Sequence, residues 1–185
     1  GKPLMSKSVI DLINKLDYSI IANHRKDLLK PLHDYVILKV KQKVEANLNF
    51  ICTHNSRRSQ IAQVWAKIMS DYYGFNINCF SGGTITTECN KRTIASFGRM
   101  CFMIKNPGGE NPHYELTYHE KKKPIIVFSK AYDDAINPRN NFAAIMTCTN
   151  ADENCPLIPG SEKRISLPYE DPKVFDNSTQ RVRKI

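Results

Sequence analysis

A cysteine and an arginine six positions apart, Cys52 and Arg58, are the residues of this sequence best suited to chemistry on an anion. The guanidinium of arginine is a planar fork of donors that matches a tetrahedral oxyanion through two hydrogen bonds. A helix beginning beside them adds inward-facing N–H groups and the positive end of its dipole, a field that favours thiolate over thiol. The pattern predicts a nucleophilic Cys52 at the floor of an anion-binding loop, with the Ser59 hydroxyl as its hydrogen-bond partner.

The residues around this pair have the pattern of a strand, a tight polar loop and a helix. An apolar run at 48–52 ends at Cys52, polar residues occupy 53–59, and apolar residues then recur three and four positions apart over 61–69. Ligands of open α/β sheets bind beyond the carboxyl ends of the strands, which is where this loop falls. The alternative is a buried cysteine at a strand end beside a surface pair of arginines.

Further strands and helices follow in alternation. Apolar runs typical of strands lie at 77–80, 101–104, 125–128 and 143–147. The last two are nearly all apolar, as strands buried on both faces of a parallel sheet are. A turn is predicted at 81–84 and a helix at 90–99. The alternation of helix and buried strand predicts a three-layer α/β domain.

Two helical stretches precede this domain. Apolar residues recur at helical spacing over 6–16 and again over 24–46, where Pro31 could break the helix or delay its start. Neither stretch carries residues with recognisable chemistry. We therefore expect residues 1–46 to form an N-terminal helical extension that covers the domain at 47–185.

Composition limits the class of protein. The chain has 185 residues, 41% of them hydrophobic, which suits one globular domain. We find no apolar run long enough to span a membrane and no signal peptide, and expect a cytoplasmic protein without a membrane partner. The net charge of +9 attracts anions of any kind. A non-catalytic anion- or nucleic-acid-binding module would interleave basic with exposed aromatic residues. The sequence lacks this pattern, so we expect no nucleic acid partner.

The stretch from Cys52 to Gln60, with Phe50 and Ile51 before it, resembles the phosphate-binding loop of the low-molecular-weight protein tyrosine phosphatases. It is more similar still to the thioredoxin-coupled arsenate reductases built on the same fold. The resemblance covers roughly residue 47 to the C-terminus and implies a parallel four-stranded sheet in an α/β/α domain. The oxyanion-binding residues that it implies are Thr53, His54, Asn55, Ser56, Arg57 and Arg58.

Two loop positions depart from the family pattern. His54 stands where the family usually has glycine, so the backbone there must suit a residue with a Cβ atom. We interpret His54 as a solvent-facing residue rather than a general base. Arg57 stands where many members have a second cysteine, and it replaces a thiol with a cation. In the family a serine braces the loop asparagine, which is left-handed, and here the pair would be Ser81 and Asn55. The alternative is a tight turn at 81–84 without such a bond.

Cys148 and Cys155 are a second pair of residues with chemistry. Cys148 follows the apolar strand at 143–147, so it should emerge at the same sheet edge as Cys52. The stretch from Cys148 to Pro156 resembles the two relay cysteines of the arsenate reductases. Half of a zinc site, or two inert buried thiols, are the alternatives. The cysteines expected only to pack in the core are Cys79 and Cys101.

The resemblance to the reductases implies a relay of thiol exchange. Cys52 attacks arsenate in the loop, Cys148 attacks the adduct and expels arsenite, and Cys155 takes over the disulfide and presents it to thioredoxin. The substrate is then a small oxyanion. No metal and no tightly bound cofactor is expected, only phosphate, sulfate or arsenate in the loop.

The alternative function is a low-molecular-weight phosphatase that hydrolyses phosphotyrosine or small phosphate esters through a phosphocysteine intermediate. A carboxylic acid must then protonate the leaving oxygen. The resemblance assigns this role to Asp171, which precedes Pro172, and Glu170 is the rival. Lys173 and Val174 follow where tyrosine phosphatases usually carry aromatic residues. We therefore predict an arsenate reductase and keep the phosphatase as the alternative.

Overall fold

Helices and strands alternate through the part of the chain that the computed structural model describes, which is residues 11–170 except 12, 18 and 20. The helices are α1 (Asn23–Gln42), α2 (Arg58–Tyr73), α3 (Lys91–Arg99) and α4 (Thr149–Asn154). The strands are β1 (Ala46–Cys52), β2 (Ile77–Gly83), β3 (Met103–Lys105), β4 (Tyr114–Thr117), β5 (Ile125–Val127), β6 (Phe142–Met146) and β7 (Ser161–Ser166). None of the helices within these described residues is long and apolar enough to cross a membrane.

A four-stranded sheet of order β2-β1-β6-β7 forms the centre of the fold. Every pairing in it is parallel, and helices flank it, as the sequence predicted. Cys52 at the end of β1 lies beside Gly83 of β2, and Ile51 lies beside Met146 of β6. The carboxyl ends of the two central strands therefore meet at one edge of the sheet.

The two faces of this sheet are built by alternate side chains of its strands. On one face, Leu48 and Phe50 pack in a cluster that includes Tyr35 of α1 and Ala62 of α2. On the other face, apolar side chains of β1 and β6 pack against α4 and the segment before β7. The residues of this second cluster are Ile51, Cys52, Phe142, Ala144, Met146, Cys148, Ala151 and Ile158.

Helix α1 runs without a break through Pro31, so the predicted interruption is wrong. Pro31 is exposed, and water can therefore hydrate the carbonyl group that loses its helical partner there. The helix ends before residue 46, since the left-handed residue Lys43 caps it and Ala46 already begins β1. Of the predicted helix at 6–16, residues 6–10 and 12 lie outside the described residues, and Ile13 is buried in the core.

Strands β3, β4 and β5 form a separate antiparallel sheet. The prediction that 125–128 belongs to the parallel sheet is therefore wrong. Ile125 and Val127 are buried while Ile126 is exposed, which is the alternation of a strand covered on one face only. Strand β7 escaped prediction because it is an edge strand of mostly polar residues in which only Ile165 is fully buried.

Candidate active site

Cys52 lies at the carboxyl edge of the parallel sheet, at the end of β1. Its side chain is 2% exposed, and Cys52 Sγ is 3.0 Å from the hydroxyl oxygen of Ser59 in the first turn of α2. The backbone continues the sheet beyond β6 on one side, where Thr147 N donates to Ile51 O at 2.8 Å. The thiol and its predicted hydroxyl partner are thus brought together where strand, loop and helix meet.

The loop at 53–57 turns its carbonyl groups toward the surrounding protein. All five accept hydrogen bonds. The donors are Ile85 N to Thr53 O (2.8 Å), Ser129 Oγ to His54 O (2.8 Å), Gln60 Nε2 to Asn55 O (3.0 Å), Asn90 N to Ser56 O (3.0 Å) and Ile61 N to Arg57 O (2.9 Å). In a trans peptide the N–H of the next residue points away from the carbonyl. The N–H groups of the loop should therefore face the cavity at the start of α2, which is an arrangement suited to binding an anion.

Asn55 holds the loop from behind and is completely buried. Its φ is 49°, the left-handed conformation expected at this position, whereas the φ of His54 is not positive and its side chain is exposed. A residue with a Cβ atom at position 54 therefore adds no backbone strain. Asn55 Nδ2 donates to Ser59 Oγ at 2.7 Å, and Lys130 N donates to Asn55 Oδ1 at 3.1 Å. Because Ser59 Oγ already accepts a bond from Asn55, its own proton can be directed at Cys52 Sγ.

The predicted bracing of Asn55 by Ser81 is replaced by another pairing. Ser81 Oγ donates to Gln63 Oε1 at 2.5 Å, because its side chain faces helix α2 rather than the loop. Ser81, Gly82 and Gly83 are the last residues of β2, so the predicted turn at 81–84 is also wrong. The glycines serve close packing instead, since a Cβ atom on Gly83 would lie 2.8 Å from the carbonyl oxygen of Thr53.

Arg58 is the first residue of α2, and its Nη1 atom donates to the carbonyl oxygen of Tyr169 at 3.4 Å. It shares a cavity of about 630 Å³ with the loop and with three residues that sequence analysis missed. The residues that line this cavity are Cys52, Thr53, His54, Ser56, Arg57, Arg58, Thr87, Asn90 and Asn150. Of the predicted oxyanion residues, only Asn55 lies behind the loop rather than in this lining. Asn90 could have been noticed as the N-cap of α3, where its side chain accepts from Arg92 N.

Cys148 and Cys155 lie at the two ends of α4. Cys148 is its N-cap, 1% exposed, and Cys148 Sγ accepts a hydrogen bond from Ala151 N at 3.3 Å. Cys148 Sγ is also 3.4 Å from the hydroxyl oxygen of Thr53, the residue after Cys52. Cys52 and Cys148 belong to one apolar cluster, and the half-buried Cys155 packs against it. The structure thus places Cys52 and Cys148 at one edge of the sheet, and Cys155 at the far end of α4 against the same apolar cluster. All three are free thiols.

Helix α4 is tied to β7 through Asp152. Arg164 Nη2 donates to Asp152 Oδ1 at 2.8 Å and to the carbonyl oxygen of Asp152 at 2.8 Å. The hydroxyl group of Ser166 donates to the other carboxylate oxygen. The segment between the two cysteines is therefore held in helical form by a charged anchor at its centre.

The predicted acid Asp171 lies outside the described residues, whereas its rival Glu170 is the last described residue and is exposed. The segment before them extends the parallel pairing with β6 toward the site. Leu167 N donates to Met146 O at 2.9 Å, and Tyr169 N donates to Thr147 O at 3.0 Å. The chain is thus led to the same sheet edge where Cys52 lies.

The other three cysteines, Cys79, Cys89 and Cys101, are not part of the predicted relay. Burial raises the pKa of Cys79 and of Cys89 to about 12, so both stay protonated near neutral pH. Cys101 is exposed in the turn after α3, and its predicted place in the core is wrong. Within the described residues, no group of three or more His, Cys, Asp or Glu side chains could hold a metal ion, so Cys148 and Cys155 find no zinc partners there.

Comparison with known proteins identifies similar chains that are named arsenate reductases. Arsenate reductase 1 of Staphylococcus saprophyticus subsp. saprophyticus is 31% identical over 135 residues, which are 72% of this chain and 85% of that protein. The arsenate reductases of Staphylococcus xylosus and of Staphylococcus aureus strain N315 are each 30% identical over 135 residues, with the same coverage. No protein-family model matches the chain.

Proposed function

The chain belongs to the arsenate reductase family, a family of enzymes, and from this premise we propose that it reduces arsenate to arsenite through a cysteine relay. Cys52 is the nucleophile in this proposal, Cys148 and Cys155 are the relay, and thioredoxin is the reductant. The observation that carries the proposal is the packing of all three free thiols around one apolar cluster at the anion-binding loop. Hydrolysis of a phosphate ester needs only the first of them, so this grouping does not favour the phosphatase.

Arsenate binding and attack use the loop and Arg58. The inward N–H groups of the loop and the guanidinium of Arg58 hold the oxygens of a tetrahedral oxyanion above Cys52. The Cys52 thiolate, with Ser59 as hydrogen-bond donor, attacks arsenic and forms an S–As bond. One arsenate oxygen takes up protons and leaves as water. The bound arsenic is still in oxidation state V after this step.

Reduction occurs when Cys148 attacks the adduct. The Cys148 thiolate forms an S–S bond with Cys52, and the S–As bond breaks. The electron pair of the broken bond stays on arsenic, which leaves as arsenite in oxidation state III. Two thiols have then been oxidised to one disulfide, which balances the two electrons gained by arsenic. Thr53, whose hydroxyl is 3.4 Å from Cys148 Sγ, lies beside the attacking sulfur.

Transfer of the disulfide to Cys155 requires α4 to unwind. The two cysteines are seven positions apart, and at the helical rise this is a distance of about 10 Å along the axis. A disulfide needs Cα atoms within about 7 Å, so the intact helix is too long. Unwinding breaks the contacts of Asp152 with β7 and lets the Cys155 thiolate attack the sulfur of Cys148. The Cys148–Cys155 bond then forms as the Cys52–Cys148 bond breaks, and Cys52 leaves as a thiolate. Thioredoxin, a dithiol, then supplies the two electrons that restore the thiols.

Turnover with and without the relay thiols tests this function. Arsenate reduction is measured with thioredoxin, thioredoxin reductase and NADPH for wild type, Cys148→Ser and Cys155→Ser. Cys101→Ser is the matched control, because this thiol is exposed outside the site. We expect the two relay variants to lose arsenate turnover and to keep their residual hydrolysis of aryl phosphate, and the control to match wild type. Arsenate turnover that survives in both relay variants would contradict the relay. No arsenate turnover in wild type would contradict the reductase and favour the phosphatase.

A further inference from the structure

Arg25, in the first turn of α1, reaches across to the segment that follows β7. Its Nη1 atom donates to the carbonyl oxygen of Pro168 at 2.7 Å, a contact between residues 143 positions apart. Its guanidinium carbon lies 4.1 Å from the centroid of the Tyr169 ring. Arg25 thus binds two consecutive residues at once, one through a hydrogen bond and one through stacking on an aromatic face.

Tyr169 connects Arg25 to the oxyanion site. Its N–H donates to Thr147 O at 3.0 Å, and its carbonyl oxygen accepts from Arg58 Nη1 at 3.4 Å. The backbone of Tyr169 therefore lies between the end of β6 and the guanidinium of Arg58. Tyr169 is 40% exposed, and the stacked guanidinium of Arg25 covers one face of its ring.

We propose that Arg25 is a positioning residue of the oxyanion site, which acts through Tyr169 on Arg58. The clamp on Pro168 and Tyr169 fixes the carbonyl group that Arg58 uses as an acceptor. This bond is one of the contacts that orient the guanidinium of Arg58, which also lines the oxyanion cavity. Helix α1, which precedes the phosphatase-like domain, is by this inference part of the binding machinery rather than only a cover for the sheet.

The size of the effect follows from side-chain ordering. Immobilising a long side chain on binding costs free energy, so an Arg58 that is less firmly held in advance should bind an oxyanion about three- to tenfold more weakly. Chemistry after binding should change less, because Arg25 touches neither the thiols nor the arsenic. A higher KM for arsenate with a nearly unchanged kcat is therefore the expected kinetic pattern.

Titration with inorganic phosphate tests the inference without turnover. The Kd for phosphate is measured by calorimetry, at constant ionic strength, for wild type, Arg25→Ala and Arg25→Lys. Lys26→Ala is the matched control, since it removes one exposed positive charge from the same turn. We expect Arg25→Ala to weaken binding about three- to tenfold, Arg25→Lys to recover only part of it, and Lys26→Ala to stay within about twofold. An equal loss in Lys26→Ala would mean a general effect of charge and would overturn the inference.

A double-mutant cycle shows whether Arg25 acts through Arg58. In an Arg58→Lys background the fork that Tyr169 anchors is gone, so Arg25→Ala should change phosphate binding by less than about twofold. A loss as large as in the wild-type background would overturn the proposal. If Arg25→Ala does not fold, Tyr169→Leu tests the same link, because it removes the stacked ring and leaves α1 intact. Phosphate affinity equal to wild type in a folded Tyr169→Leu variant would likewise contradict the inference.

The inference rests on the oxyanion site of the proposed function, and the two can fail separately. A wild-type protein that binds no phosphate removes the anion-binding loop itself, and with it the proposed function. If wild type and Arg25→Ala bind phosphate equally tightly, only the role of Arg25 is contradicted.

Discussion

At the scale of single residues, a short series of hydrogen-bonded side chains connects Asn55, through Ser59, to the Cys52 thiol. Asn55 Nδ2 donates to Ser59 Oγ at 2.7 Å, and Ser59 Oγ lies 3.0 Å from Cys52 Sγ. The buried amide thus leaves the serine proton for the sulfur. Hydrogen bonds to a charged group contribute more than those between neutral groups, and the thiolate is the form that gains.

Ser59→Ala should therefore slow the attack on arsenic. A hydrogen bond to a charged group is worth about 1.5–3 kcal/mol, which corresponds to a loss of about 10- to 100-fold in the rate of the first step. The measurement is single-turnover arsenate consumption by rapid quench. Ser70→Ala, which removes the hydroxyl of another buried serine of α2, is the control. A rate for Ser59→Ala equal to that of the control would show that the hydroxyl does not assist the thiolate.

Helix α4 is the element whose conformation must change in the proposed relay. Its helical form separates Cys148 from Cys155, and the contacts of Arg164 with Asp152 hold that form. Weakening this anchor should lower the free energy needed to unwind the helix. The disulfide state, in which the helix is already unwound, should therefore become more stable relative to the dithiol state.

Arg164→Gln should make the Cys148–Cys155 disulfide harder to reduce. Loss of charge-assisted hydrogen bonds worth about 1.5 kcal/mol corresponds to a reduction potential lower by about 30 mV for this two-electron couple. The potential is measured by equilibration with thioredoxin or dithiothreitol in a Cys52→Ser background. Lys163→Gln, the exposed neighbour on β7, should leave the potential unchanged. A potential that stays the same or rises in Arg164→Gln would contradict the role given to this anchor.

Lys130 contacts the loop through its backbone and affects the stability of the whole molecule through its buried side chain. Its backbone N–H holds Asn55, while its side chain is 4% exposed and lies over the ring of Phe128. Burial lowers the pKa of Lys130 from 10.5 to about 8, although Asp134 acts in the opposite direction. Between pH 8 and 10.5 the unfolded chain therefore holds more protons at this residue than the folded chain does.

The contribution of Lys130 to the free energy of unfolding should accordingly rise with pH between about 8 and 10.5. Where the unfolded state binds more protons, the free energy of unfolding increases with pH. Relative to Lys130→Met, wild type should gain about 2 kcal/mol between pH 7.5 and pH 10. Urea unfolding of both proteins at the two pH values gives this difference, and other titrating groups cancel in it. A difference that is constant or falls with pH would show that Lys130 is not held in a desolvated site.

The site was predictable from sequence to the extent that it is local. Cys52, the polar loop and the start of α2 follow one another, so the strand, loop and helix pattern could be recognised directly. The partners of the loop could not, because Lys130 and Ser129 come from a distant segment whose apolar strand was assigned to the wrong sheet. The partner of Ser81 was also predicted wrongly. Only the packing of β2 on α2, which sequence patterns do not show, directs its hydroxyl group at Gln63.

The sheet was predictable in its two central strands and less so at its edges. β1 and β6 are buried on both faces and show this in their composition. β7 is an edge strand whose exposed residues include Glu162 and Lys163, so its pattern does not differ from that of a loop. Contacts such as that of Arg25 with Pro168 join residues far apart in the chain, and no spacing rule reveals them.

The Cys155→Ser variant tests the relay most directly. Without the thiol that resolves it, the first disulfide should accumulate after a single turnover with one equivalent of arsenate. Mass spectrometry of the alkylated, digested protein should find a disulfide between Cys52 and Cys148, together with one equivalent of arsenite in solution. A variant that consumes arsenate without this bond, or that pairs Cys52 with another cysteine, would contradict the relay.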